Sequence, residues 1–252
     1  MSDQNDRSIE LEIEVDGTPE QVWDAIATGP GISAWFVPTT VVPEPGGAIT
    51  QEFGPGMVVE GQVQGWEPPH RFAYGEHAEP EPGSMAFEFL VEARSGGTCV
   101  VRLVNSGFGY GEEWDAQYDA TENGWRVFLH VLSLHLHRFS GQPASRVQAM
   151  AMLPGDKAAD GIWEAGCRLL GDGDVVQATA PALTGRVTLR ANRAMACAID
   201  EPAPGTAFFA VEPHGAVTAV SMWLSFYGPD AAMVVERDAA AWQAWVEGLA
   251  AT

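Results

Sequence analysis

The chain has 252 residues, 46% of them hydrophobic and 19% charged, a globular composition with room for one or two domains that excludes wholesale disorder and a mini-protein held by staples. Thirteen basic residues against 34 acidic ones give a net charge of −21, a field that repels phosphate backbones and anionic lipid and argues against nucleic acid as a partner. The longest strongly apolar stretch, Ala216 to Tyr227, is shorter than the about 20 residues of a membrane-spanning helix, and the polar opening residues lack an apolar signal core, so a cytoplasmic protein without membrane insertion is expected.

Ser8 to Asp16 alternates strictly, with Ile9, Leu11, Ile13 and Val15 on one face and Glu10, Glu12 and Glu14 on the other, which predicts a half-buried strand. Thr18-Pro19-Glu20 supplies an N-cap, a proline at the first helical position and an acid in the first turn, so a short helix follows until Gly29-Pro30. One more turn over Pro30 to Phe36 ends in the pair Trp35-Phe36. Short alternating runs then predict an antiparallel meander: around Ile49 to Phe53, Met57 to Trp66, Arg71 to His77, Ser84 to Glu92, and Thr98 to Asn105. Glu88 and Glu92 mark the outer face of their run, which sends Phe87 and Phe89 inward, and Phe72 and Tyr74 share a face by the same parity. Glu112 to Ser140 carries Trp114, Tyr118, Thr121, Trp125, Phe128, Leu129, Leu132 and Leu136 at helical spacing, a long amphipathic helix marred only by Asn123-Gly124, where a kink or close packing is expected.

After Ser140 the composition shifts. The first part holds 6 basic and 22 acidic residues, net −16, and the second 7 and 12, net −5, with Gly141-Gln142-Pro143-Ala144-Ser145 as the expected linker. Asp156 to Leu170 reads as a helix; Arg186 to Ile199, Thr206 to Glu212 and Ala216 to Phe226 read as strands; Pro229 to Leu249 ends in a helix. The expected domains are therefore 1–140 and 141–252.

Pro19-Glu20-Gln21-Val22-Trp23-Asp24-Ala25-Ile26 with Ala34-Trp35-Phe36, then Gly65-Trp66-Glu67-Pro68-Pro69-His70-Arg71-Phe72-Ala73-Tyr74, then Asn123-Gly124-Trp125-Arg126-Val127-Phe128-Leu129 occur in one order with one secondary structure. Over about residues 8–140 the chain thereby resembles the START-like (SRPBCC) superfamily, in the branch named for the activator of heat-shock protein 90 ATPase. The resemblance implies an α+β helix-grip fold, a curved antiparallel sheet wrapped around a long C-terminal helix, with a cavity for small hydrophobic molecules such as lipid-like, polyketide or aromatic compounds. It implies no single reaction. For 141–252 two readings stand, an abbreviated second helix-grip unit or another α+β extension.

Candidate site residues follow from that frame. Trp35, Phe72, Tyr74, Phe87, Phe89, Trp114, Tyr118 and Trp125 either pack as core or line an apolar pocket of about 300–1,000 Å³ between sheet and helix, with Tyr110 near its mouth. No metal is expected from His130, His135 and His137, because no two of them stand three or four apart on one helical face. Gly107-Phe108-Gly109-Tyr110-Gly111 lacks the lysine and hydroxyl of a phosphate loop, dinucleotide fingerprints are absent, and no cofactor is expected. Cys99, Cys167 and Cys197 read as reduced thiols in apolar surroundings. Binding without catalysis is the leading expectation; an aromatase or cyclase using Tyr74, Glu76 or Tyr110 as a proton carrier is the second, and a chaperone-associated module whose acidic surface meets a basic protein is the third.

Overall fold

The computed structural model describes residues 7–54, 56–77, 84–154, 159–171, 173–214 and 217–249. Its first strand, β1 (Arg7–Asp16), buries Ile9, Leu11 and Val15 and exposes the intervening glutamates, as period two dictates. Helix α1 (Pro19–Ala27) starts on a capping box: Thr18 N–H donates to Gln21 Oε1 at 2.9 Å and Gln21 N–H donates to Thr18 Oγ1 at 3.4 Å. A second short helix, α2 (Gly29–Trp35), follows at once, capped by the Thr28 hydroxyl, which accepts from Gly31 N–H at 3.0 Å.

Strands β2 (Thr39–Val41), β3 (Ala48–Gly54), β4 (Met57–Glu67), β5 (Arg71–Gly75), β6 (Ala86–Ala93) and β7 (Thr98–Phe108) lead into the long helix α3 (Glu112–Phe139). The sheet order is β1-β7-β6-β5-β4-β3-β2 with every neighbour antiparallel, so the last strand returns beside the first and the meander between them curls away. Helix α3 packs on β1 and against α1 and α2, burying Trp125, Leu129, Leu132, Leu136 and Phe139 on one stripe. This is the helix-grip arrangement. Gly124 neither breaks the helix nor packs closely, since a Cβ there would meet only Phe128, at 3.9 Å.

The chain divides between Gly141 and Gln142 into two units. The second unit comprises β8 (Ser145–Pro154), α4 (Ala159–Leu170), β9 (Val175–Thr179), β10 (Ala182–Ala191), β11 (Ala194–Glu201), β12 (Gly205–His214), β13 (Val217–Phe226) and α5 (Ala231–Gly248). Its sheet runs β8-β13-β12-β11-β10-β9, again with the opening strand beside the last and a closing helix after it. The unit is α+β and follows the plan of the first with one strand fewer. The opening strand β8, unread in the sequence, is there, and the single strand read over Arg186 to Ile199 is a hairpin instead. Asn192-Arg193 makes that turn without glycine, Arg193 adopting φ 47. Asp156 to Ala158, read as the start of α4, and Ala216, read as the start of β13, lie outside the described residues.

Candidate functional site

Two aromatic assemblies organise the first unit, and both are built from the segments singled out in the sequence. Trp23 of α1 meets Trp66 of β4 edge-on at 5.0 Å, and Phe72 of β5 stands 5.7 Å from Trp66. Nearer the middle of α3, the Trp125 ring lies 5.3 Å from Phe36, 5.7 Å from Phe87, 6.0 Å from Phe89 and 6.1 Å from Phe128. Trp35 stacks on Phe36 at 5.5 Å and its Nε1–H donates to Ala25 O at 2.9 Å, so the end of α2 is pinned with its rings turned inward.

Those rings fill the grip. Trp35, Phe89 and Trp125 surround a void of only about 10 Å³, too small to hold a ligand. A larger cavity, about 190 Å³, lies further along the sheet, walled by Ile49, Gln51 and Phe53 of β3, Val59 to Gly61 of β4, Tyr74 to Glu76 from the end of β5, and Met85 and Phe87 around the start of β6. Its described lining includes no residue of α3, because Phe36 occupies the space between that helix and the sheet. It is also smaller than the expected 300–1,000 Å³. Val59, Glu60 and Glu76 are exposed, which marks the side open to solvent.

Of the nine residues expected to line a pocket, Tyr74 and Phe87 line this cavity, their rings stacked at 5.0 Å. Phe72 is fully buried against Tyr74 at 5.3 Å and lies behind the wall; Trp35, Phe89 and Trp125 belong to the filled cluster. The remaining three sit elsewhere. Tyr118 packs edge-on to Phe108 at 5.1 Å and its hydroxyl donates to Ser8 O at 3.1 Å, under the Arg7 guanidinium. Trp114 covers Gly109, and Tyr110 is 64% exposed. Glu76, named as a proton carrier for the enzyme alternative, lies just past the end of β5 and is exposed.

The polar group that the sequence reading missed is Gln51. It is 5% exposed, and its neighbours of like parity, Ile49 and Phe53, also line the cavity, so a polar residue at an inward position of β3 was the available signal. The Tyr74 phenol hydrogen-bonds to the Gln51 side chain, and burial pushes the Tyr74 pKa well above its ordinary value. Tyr74 therefore stays protonated at neutral pH and is not a base there. Gln51 Nε2 is buried with no hydrogen-bond partner.

The three histidines of α3 have separate surroundings: His135 is buried, His130 half-buried, and the exposed His137 places Nδ1 2.5 Å from Asp16 Oδ2. Among the described residues no three histidine, cysteine, aspartate or glutamate side chains converge as a metal site. Cys99 and Cys197 are buried, Cys167 is half-buried, and burial raises the Cys99 and Cys197 pKa values. No helix among the described residues is long and apolar enough to cross a membrane.

Residues 16–137 match the family described as Activator of Hsp90 ATPase homolog 1-like protein. No curated protein matches the chain. Among solved structures it is similar to protein MLL2253 from Mesorhizobium loti, with 22% identity over 53% of this chain and 99% of that one and a TM-score of 0.46. It is similar to the Aha1 dimer from Colwellia psychrerythraea at 21% identity, covering 54% of this chain and 99% of that one, TM-score 0.45. The di-domain ARO/CYC BexL from the BE-7585A biosynthetic pathway is 15% identical over 97% of this chain and 94% of that one, TM-score 0.47.

Proposed function

Starting from residues 16–137 as an AHSA1-like domain of the SRPBCC type, we propose that the protein binds a small hydrophobic molecule in the cavity beside Tyr74 and Phe87 and does not transform it. The observation that carries this reading is the cavity itself, a space of about 190 Å³ walled largely by Ile49, Phe53, Val59, Met85 and aromatic rings, beside a Trp125 cluster whose own void is only about 10 Å³. Catalysis by proton transfer finds little support there. Tyr74 is held neutral, Glu76 lines the cavity only at its solvent-exposed side, and Tyr110 is exposed and outside the described lining.

Titration with the apolar bicycle indane, followed by NMR, tests the reading. Saturable binding is expected, with the largest shift changes at Tyr74, Met85 and Phe87. Mass spectrometry of material released from natively purified protein is expected to find an apolar small molecule. Indane shifts that never saturate, or that spread over the surface without centring on the cavity, overturn it.

A further inference from the structure

We propose that the cavity selects a neutral molecule carrying a hydrogen-bond-accepting oxygen, such as a ketone carbonyl, on an apolar ring body, with the Gln51 carboxamide as the donor. This rests on the ligand-binding reading of the same cavity and adds the chemistry that would give it selectivity.

Gln51 projects from the inward face of β3, opposite Val59 in the register, and both residues line the space. Its carboxamide has two ends. The Tyr74 ring lines the cavity beside it, and Gln51 Nε2 is buried with no hydrogen-bond partner. That leaves an N–H₂ group sealed from water with nothing to donate to. A buried unpaired donor destabilises the fold, whereas an apolar side chain at this inward position would pack without that cost. A ligand oxygen removes the penalty on binding. The terminal amide torsion is broad, so the carboxamide can turn its N–H₂ toward the cavity.

Asn105 is the other buried amide nearby, and it fits the role less well. Its Nδ2 already donates to Ala86 O at 3.1 Å, and the residue is not part of the cavity wall. Size and charge narrow the ligand further. A volume of about 190 Å³ equals roughly six waters of liquid, which suits a compact bicyclic body. The exposed Glu60 and Glu76 at the open side, within a chain of net charge −21, disfavour a carboxylate.

The test compares three probes of one shape, indane, 1-indanone and indane-1-carboxylate, titrated calorimetrically into the full chain and into Gln51→Leu. The ratio of 1-indanone to indane affinity is expected to fall about tenfold in Gln51→Leu, whatever the change in indane affinity itself, with the carboxylate the weakest of the three in the wild type. In the wild type, the Gln51 side-chain amide resonances are expected to shift downfield with 1-indanone and not with indane, a readout that needs no variant. An unchanged affinity ratio, or amide resonances indifferent to the carbonyl, overturns the proposal while indane binding keeps the cavity reading intact. A carboxylate that binds as tightly as the ketone overturns its neutrality. If no probe binds, the cavity reading itself falls and takes the proposal with it.

Discussion

The two units share a strand plan and differ in how aromatic rings are set between helices and sheet. In the second, Trp163 of α4 stacks on Phe209 of β12 at 5.4 Å and 9°, Trp245 of α5 meets the same ring at 5.5 Å, and Trp242 adjoins Trp245 at 5.5 Å while itself 1% exposed. The helices and sheet thus share one aromatic seam. The first unit makes a comparable seam around Trp125, but its sheet has an additional strand, and the β3–β4 end continues to the exposed Met57, Val58 and Val59. The cavity lies toward that end, beyond the rings that fill the grip. In the first unit the cavity accompanies sheet that outruns the rings packed against it.

If the Trp125 cluster is core and not pocket wall, Trp125→Ala produces the largest effect on this contrast. The ring is 6% exposed and has four aromatic neighbours, so its removal is expected to cost about 3–5 kcal/mol, read as a lowered denaturation midpoint with hydrogen exchange quickened along α3 and not along α5. A loss under about 1 kcal/mol, accompanied by altered indane binding, would return Trp125 to the pocket wall.

The sequence was most readable where side-chain periodicity and aromatic residues work together. Trp23, Trp66 and Phe72 belong to two separate segments, and their convergence is what the similarity of those segments to one family reflects. The strand parity that turned Phe87 and Tyr74 inward is set by local geometry, and both rings do line the cavity. Where the space would remain was not legible. That depends on Phe36, a single side chain past the end of α2, reaching Trp125 and Phe128 across the grip, and no local pattern encodes such a long-range fit. Strand β8 escaped notice for another reason: Val147, Ala149, Ala151 and Leu153 alternate with Arg146, Gln148, Met150 and Met152, and alanines and methionines blur a period-two signal. Gln51 is readable only in retrospect, as a polar residue at an apolar parity.

Acid should separate the units next. Burial lowers the His135 pKa to about 4 from 6.5. Between those values the unfolded chain holds a proton that the native state lacks, so stability rises with pH through this window and is lost as pH falls from about 6.5 toward 4, by up to roughly 3 kcal/mol. Histidines 70, 77, 130, 135 and 137 all belong to the first unit, against His214 alone in the second, so the loss is expected first in exchange along α3. Denaturant titrations at pH 7 and pH 4.5 check it. His135→Leu is expected to flatten the difference, and an equal pH dependence in wild type and variant would assign the acid response to other groups.

The smallest effects, and the finest test of filled against unfilled space, come from two glycines inside helices. Each lacks the helix propensity of alanine by about 1 kcal/mol, so with no surroundings to consider both substitutions would stabilise equally. Their surroundings differ. A methyl at Gly124 of α3 would have 3.9 Å to its nearest neighbour, Phe128, and Gly124→Ala is expected to stabilise by roughly 0.5–1 kcal/mol. A methyl at Gly166 of α4 would sit 2.3 Å from Phe209 Cζ, on the ring that Trp163 and Trp245 hold in place. That ring is 1% exposed and is flanked by both tryptophans, so Gly166→Ala is expected to destabilise by about 1–3 kcal/mol despite the same gain in propensity. Chemical denaturation of both variants gives the sign directly. Opposite signs mean that the second unit's helix is fitted to its sheet through the missing side chain at 166, whereas stabilisation at both positions would show that the Phe209 seam yields, and that the second unit is no more tightly filled than the first.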